Sequence, residues 1–338
     1  MPLYPLKFKP RFVKKMWGGR KIKTILGKLP PAGGIGESWE LYDFPPGVVD
    51  ESADWISSEV AEGRLAGKTL HELVQEFGRD LYGDVPLVGP HGQFPILIKF
   101  LDAREDLSVQ VHPDEAYAKN HPEAHLKNEA WFIVQADRGS RLLKGLKPGV
   151  TRQRFKKSIA DGSVESTINS IRVKAGDCFY LPSGTVHALG AGILAAEVQT
   201  PSDTTYRVFD FNRIDPFTGK PRTLHVEQAM QCIDFSTATP PKPKPKVKPK
   251  PSSSPELVKC DHFTIRKIAA KKSREVIIPA GEPKVLMVIK GRGRLLAAGH
   301  ESTITAGDTI LLPAGLVETV AAADSDALWL EVRIGRRN

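Results

Sequence analysis

The feature that most constrains this 338-residue chain is an internal repeat. AGDCFYLPSGTVHAL, residues 175–189, matches AGDTILLPAGLVETV, residues 306–320, at a constant offset of 131. The match aligns Gly176 with Gly307, Asp177 with Asp308, Pro182 with Pro313 and Gly184 with Gly315. Self-similarity of this kind implies two copies of one structural unit. A strand-like run with a glycine-bearing turn precedes each copy, WFIVQADRGSRLL before the first and VLMVIKGRGRLLA before the second. Strand, Gly-Asp turn, strand and Pro-x-Gly turn, repeated, predict a mainly β chain of two Greek-key or jelly-roll barrels whose mouths can hold a ligand.

Between the copies lies PPKPKPKVKPKPSSSP, in which proline at nearly every second position forbids helix and sheet pairing. Residues 238–255 are therefore expected to be a Pro/Lys/Ser-rich linker between a larger domain, 1–237, and a smaller one, 256–338. Five of the nine net positive charges are lysines of this segment, Lys242, Lys244, Lys246, Lys248 and Lys250, so the rest of the chain carries only +4. No aromatic residues interleave with them to stack on bases, so no nucleic-acid partner is expected. GVTRQRFKKSIADGSVESTINSI, 149–171, has helical periodicity and reads as an inserted pair of helices covering or flanking a site. No run approaches the roughly 20 apolar residues of a membrane helix, and MPLYPLKFKPRF lacks an apolar signal region, which predicts no membrane partner and a cytoplasmic location. Cys178, Cys232 and Cys260 are odd in number and far apart, which argues against a disulfide framework or a thiolate zinc site.

The two copies differ where chemistry is expected. His187 of the first becomes Glu318 in the second, and nothing in the second matches Gln110-Val-His112. The scaffold thus survives without these residues, and only the first copy is equipped. In a strand, Gln110 and His112 project to one face while Val109 and Val111 point to the other. Glu129 opens the next strand-like run and His187 closes another, so two imidazoles, a carboxylate and an amide can converge. That set suits a borderline divalent ion with one open position. His121 and His125 stand four apart but flank Pro122, and with His71 and His225 on helical patterns they are not expected to be ligands.

At this point the sequence resembles a known family. QVHP at 110–113, KNE at 127–129, LPSGTVHALGAG at 181–192 and EVQTPSDTTYRVFDFNR at 197–213 look like motifs of type I mannose-6-phosphate isomerases, which are cupins, in their short bacterial form. KFKPRFVKKMWGGRKI and GESWEL resemble further elements of that family. The resemblance implies two cupin barrels, the second without metal ligands, and one zinc ion per chain held by His112, Glu129 and His187, with Gln110 as a further ligand or near neighbour. It implies Arg207 as an active-site arginine and Lys127 as a pocket lysine, with Asn128 a departure after that lysine.

The chemistry expected is interconversion of mannose 6-phosphate and fructose 6-phosphate through an enediol, with zinc as Lewis acid and Arg207 stabilising developing negative charge. Lys127 is placed for phosphate contact or proton transfer, and Glu197 is a candidate base. No P-loop is present, so the phosphate of a small sugar-phosphate substrate falls to scattered cations, Lys99, Lys127, Arg11 or Arg20. Trp17 and Trp39 are candidates to line the sugar site. A non-haem iron oxygenase and a non-catalytic sugar-binding module are the alternatives; an oxygenase of small apolar substrates has less need of Arg207 and Lys127, and a binding module has no need of a metal. Monomer and homodimer are not separated.

Overall fold

The Gly-Asp turn that the sequence repeats is built twice with the same bonds. In the computed structural model, which describes residues 3–49, 54–236 and 255–335, Gly176 has φ +91° and its amide donates to Ile133 O at 2.8 Å. Ile133 N donates to Asp177 O at 2.9 Å, and the Asp177 carboxylate accepts from Lys174 N at 2.9 Å. Gly307 also has φ +91°, with 2.8 Å bonds from Gly307 N to Val288 O and from Val288 N to Asp308 O. Asp308 accepts from Thr305 N at 2.9 Å. Glycine enters this left-handed region without steric penalty, so the repeated letters encode a repeated backbone.

The chain is mainly β, and every pairing among its described strands is antiparallel. A six-stranded sheet runs in the order Cys178–Leu181, Glu129–Ala136, Ile193–Gln199, Leu97–Ala103, Arg11–Gly19 and Ile35–Leu41. A five-stranded sheet runs Ile168–Arg172, Arg141–Leu146, His187–Leu189, Val109–Val111 and Tyr206–Phe209. One apolar cluster joins them, with Leu101, Trp131 and Ala195 from the first sheet and Leu142 and Leu189 from the second. The second unit has a six-stranded and a four-stranded sheet, the latter ordered Glu275–Ile278, Thr319–Ala323, Arg292–Ala297 and His300–Thr305.

The first six-stranded sheet is buried on both faces. Leu101 and Ala195 look into the first unit, while the alternate residues Phe100, Phe132 and Ala196 join a cluster with Leu70 and Leu73 of the helix Leu70–Phe77 and with Phe263 and Val285 of the second unit. This explains why Leu97–Ala103 and Ile193–Gln199 are buried at every position rather than at every second one. Thr69 and Glu72 form a reciprocal capping box at the start of that helix.

Two features differ from the sequence-based expectation. Residues 149–171 hold one helix, Arg152–Ala160, then a single 3-10 turn, Val164–Thr167, and their end becomes the edge strand Ile168–Arg172. Its β-branched isoleucines serve strand pairing, while Phe155 and Val164 pack with Val109 and Val111 on the back of the five-stranded sheet, the side away from Gln110. The segment therefore supports the sheet without covering the cleft. Leu6 and Lys7, expected in the first domain, pair with Leu311 and Ile310 at the edge of the second unit's sheet. The expected linker, apart from its last residue, lies outside the described residues.

Phe100→Ala empties a fully buried position in the cluster shared by the two units. It is expected to cost about 3–5 kcal/mol in urea denaturation; a loss below about 1 kcal/mol would show that this face is not close-packed.

Candidate metal centre and active cleft

His112, Glu129 and His187 form a buried group whose potential ligand atoms all lie within 4.8 Å of one another. Each comes from a different strand or strand end. Glu129 begins Glu129–Ala136 in the six-stranded sheet, whereas His187 begins His187–Leu189 in the facing sheet, directly opposite Gln110. His112 follows Val109–Val111, so it shares a face with Gln110 as the alternation predicts.

The donors around this group argue for a cation. His112 Nδ1 lies 3.0 Å from Thr204 O and His187 Nδ1 lies 2.8 Å from Thr185 O. A ring nitrogen beside a carbonyl carries the proton, so in a neutral ring the Nε2 atom is left as a lone pair. The two Nε2 atoms face the Glu129 carboxylate, at 3.4 Å from His112 to Oε2 and 3.0 Å from His187 to Oε1. Burial, then Lys127, push the His112 imidazole down to about 3, so it is neutral at physiological pH. Burial opposes ionisation of Glu129, but nearby positive charge, the Lys127 ammonium first, holds the carboxyl well below its usual range. Acceptors thus face acceptors in a dry site, and His112 Nε2 and both Glu129 oxygens lack a hydrogen-bond partner. Such groups are costly unless a positive ion is shared among them. Nitrogen and oxygen donors of this kind fit a divalent metal.

The second unit makes the comparison direct. Leu181 pairs with Glu129 and its repeat equivalent Leu312 pairs with Lys284, so a lysine stands in the second copy where the carboxylate stands in the first. Lys284 is fully buried and donates to Pro279 O at 2.7 Å, so a covalently attached positive charge occupies this place. Glu318, the counterpart of His187, is exposed.

A cleft of about 240 Å³ opens beside the group, reached through Gln110, Lys127 and Trp131. Lys127 Nζ is 3.3 Å from Glu129 Oε2, and the Gln110 amide nitrogen is 3.4 Å from His187 Nε2. Across the six-stranded sheet, Trp131, Glu197, Lys99 and Trp39 stand opposite one another in register. Trp131 Nε1 donates to Glu197 at 2.8 Å, and Lys99 lies 4.4 Å above the Trp39 ring. Burial, then the Glu129 charge, raise the Glu197 carboxyl to about 7 despite Lys99. Burial opposes the Lys99 charge, but Glu37 at 3.3 Å overcomes it and raises the ammonium above its usual range. On the other wall Arg207 bonds to Ser108 Oγ at 3.2 Å and Thr223 O at 2.9 Å.

Of the remaining sequence candidates, Trp17 lines the cleft, whereas Trp39 packs under Lys99 against Tyr42 and Phe44 and is not among the lining residues. Arg11 sits over the Trp39 ring, outside the lining residues, and Arg20 borders a separate groove with Lys23 and Gly33. His121 stacks on Tyr117, His125 is half-buried beside Thr204, and neither belongs to the metal group. His71 stacks on Trp55. His225 is not simply a helix residue: its amide donates to Arg207 O at 2.7 Å and its Nδ1 accepts from Arg207 N at 3.3 Å, fixing the arginine. Asn128 accepts from Ser183 N at 2.9 Å and Tyr180 Oη at 3.3 Å, tying the Pro-Ser-Gly turn to the strand that bears Glu129.

Sequence reasoning missed Lys15, Glu37, Asp203 and Arg222, all of which line the cleft. Lys15 shares a strand face with Trp17 and Glu37 lies in GESWEL, so alternation offered a signal for both. Arg222 carried none, because it reaches the cleft from beyond a hairpin.

Comparison with known proteins places this architecture. Residues 6–137 match the family described as phosphomannose isomerase type I, catalytic domain. The chain is 36% identical over 314 residues to a probable mannose-6-phosphate isomerase of Bacillus subtilis, covering 92% of this chain and 94% of that one. It is 36% identical over 313 residues to the mannose-6-phosphate isomerase of Streptococcus mutans, covering 91% and 92%. The crystal structure of a mannose 6-phosphate isomerase from Bacillus subtilis superposes with a TM-score of 0.83 at 30% identity, over 98% of this chain and all of that one.

His187→Ala removes one imidazole from the metal group and leaves the sheets' apolar contacts in place. Metal analysis of the folded variant is expected to show affinity weakened by more than the roughly 10–100-fold that loss of a mere outer partner costs. Wild-type metal content would rule His187 out as a ligand.

Proposed function

The chain belongs to the type I phosphomannose isomerase family, and from that premise we propose that it is a zinc-dependent aldose–ketose isomerase interconverting mannose 6-phosphate and fructose 6-phosphate through an enediol. The observation that supports this most is the junction of a cation-lined cleft with the His112, Glu129, His187 group. A divalent ion held there supplies Lewis acidity to the sugar carbonyl. Gln110 stands beside His187, and with its amide turned over its oxygen becomes a fourth donor.

Glu197 is the proposed proton carrier. Its carboxylate takes the proton from C2 of the open-chain aldose, the C–H pair becomes the C1–C2 double bond, and the carbonyl pair moves onto O1. Lys127, beside the metal group, gives O1 a proton and recovers one from O2 as the double bond takes the Glu197 proton at C1 and the ketone forms. A carboxyl near 7 suits this exchange, since it both accepts and returns a proton near neutrality. Arg207 keeps its positive charge through the reaction and stabilises the enediolate oxygens. Lys99, locked to Glu37 and Trp39, forms the far wall for substrate contact.

Each pair of facing sheets is proposed to be a cupin barrel, the first catalytic over 1–237 and the second over 256–338 carrying Lys284 in place of a metal ligand. Arg207 and Lys127 at the cleft weigh against an iron oxygenase, which has less need of them, and the His112, Glu129, His187 group weighs against a simple sugar-binding module, which has no need of a metal. No described helix is long and apolar enough to cross a membrane, and a cytoplasmic location is part of this reading.

A coupled assay with mannose 6-phosphate is expected to show isomerase activity, and Glu197→Gln to lower kcat by roughly 10²–10⁴. Because burial raises Glu197 and only the ionised form accepts a proton, kcat/KM is expected to fall as pH drops through about 7. An inflection in the ordinary carboxylate range, or one that merely tracks the sugar phosphate near pH ~6, would exclude Glu197 as the base.

A further inference from the structure

The charges of the cleft are balanced at one end and unbalanced at the other. Lys15 and Lys99 each lie 3.3 Å from an oxygen of Glu37, and Lys99 is also 3.9 Å from Asp203. Lys127 is matched by Glu129. On the opposite wall one carboxylate, Asp210, serves two guanidiniums: it accepts from Arg222 at 2.8 and 2.5 Å and from Arg213 at 2.6 Å. Arg213 has a second acid, Glu105, only at 3.8 Å, and Glu105 is 2.7 Å from Arg104. Arg207 completes the group, and its side chain donates to a hydroxyl, Ser108 Oγ, and a carbonyl, Thr223 O. Three guanidiniums around one carboxylate leave a surplus of two positive charges. Burial, then the neighbouring Arg222, work against the Arg207 charge. Like charges held together in a partly buried wall are costly unless an anion is to join them.

The backbone spends further strain to bring Arg222 here. After the edge strand Tyr206–Phe209 the chain turns through two non-glycine residues with left-handed φ, Phe211 at 56° and Asn212 at 53°. It then makes a hairpin, Ile214–Asp215 with Lys220–Pro221, that returns Arg222 to Asp210. Along the wall His187 is paired with Gln110, Gln110 with Arg207, and Arg222 lies beyond the sheet edge. Two strand spacings, about 10 Å, therefore separate the His187 and Arg207 backbones. A sugar lying across the strands with C1 and C2 at the metal group extends its far end toward Arg222.

We propose that Arg222, held in position by Asp210, binds the phosphate of the sugar and sets the requirement for a phosphorylated substrate, with Arg207 contributing its outer edge. The assignment rests on the isomerase reading for the identity of the sugar, and on the charge surplus for the anion. A phosphate monoester carries about −1.5 to −2 at pH 7, which matches that surplus, and the guanidinium fork matches its oxygens.

The test is calorimetric titration of the metal-loaded protein with methyl phosphate, alongside KM and kcat for mannose 6-phosphate. Arg222→Met is expected to weaken methyl phosphate binding roughly 10–100-fold, the worth of charge-assisted hydrogen bonds. KM should rise by the same factor with kcat changed less than about threefold. Arg222→Lys, which keeps a positive partner for Asp210, guards against misfolding and is expected to fall between wild type and Met. Lys15→Met, at the balanced end, is expected to leave methyl phosphate affinity within about twofold. Wild-type affinity in both folded Arg222 variants, or loss of affinity in Lys15→Met alone, would overturn the proposal. Arg222-dependent binding in a protein without isomerase activity would refute the activity reading and keep the anion site; an active enzyme indifferent to Arg222 would do the reverse.

Discussion

The structure depends on a contact that is unfavourable by itself: a buried carboxylate, Glu129, facing the Nε2 atoms of two imidazoles, with both its oxygens and His112 Nε2 lacking a hydrogen-bond partner. Backbone carbonyls fix the tautomers of His112 and His187, so neither ring can relieve the contact by turning its N–H inward. Glu129 lies in a sheet buried on both faces and His187–Leu189 is buried throughout, so neither strand yields easily. A positive ion among the three resolves the conflict. The second unit shows the same frame solved another way, with the ammonium of Lys284 at the place of Glu129. One fold thus frames a candidate metal group in the first copy and carries a buried lysine at the matching position in the second.

Around the metal group the two walls of the cleft have different electrostatic tasks. The six-stranded wall places Glu197 between Lys99 and Trp131 in register, so burial raises its carboxyl while each neighbour limits its movement. The five-stranded wall carries arginines, whose charge persists at any working pH and whose forks suit oxyanions. In the proposed mechanism, proton exchange is thereby confined to one side and anion stabilisation to the other. His225 and Asp210 do not touch the reacting atoms in this arrangement. They position Arg207 and Arg222 respectively, through bonds of 2.7 Å to the Arg207 carbonyl and 2.5–2.8 Å to the Arg222 guanidinium.

Much of this was legible in the sequence because it is local. The repeat predicted duplicate Gly-Asp turns, and both copies have them with φ +91°. Alternation put Gln110 and His112 on one face, and Val109 and Val111 do pack on the other. The charged connection between His112 and Glu129 lies at the surface, with Asp114 capping the short helix Glu115–Asn120 and Glu115, Lys119 and Glu123 exposed. What sequence reading missed depends on contacts between distant segments. Arg222 reaches the cleft only because a hairpin folds back, and the end of 149–171 is a strand because Arg141–Leu146 offers it an edge, which overrides its local helical pattern. Leu6 and Lys7 join the second unit's sheet for the same kind of reason.

The central claim is that a cation shared by His112, Glu129 and His187 makes this chain an isomerase. Its most direct test is to strip the protein with a chelator and titrate zinc back while following conversion of mannose 6-phosphate to fructose 6-phosphate. Activity is expected to vanish on stripping and to return in proportion to added zinc, with a break at about one equivalent per chain, as a single three-residue site requires. Full turnover by the metal-free protein would contradict the claim.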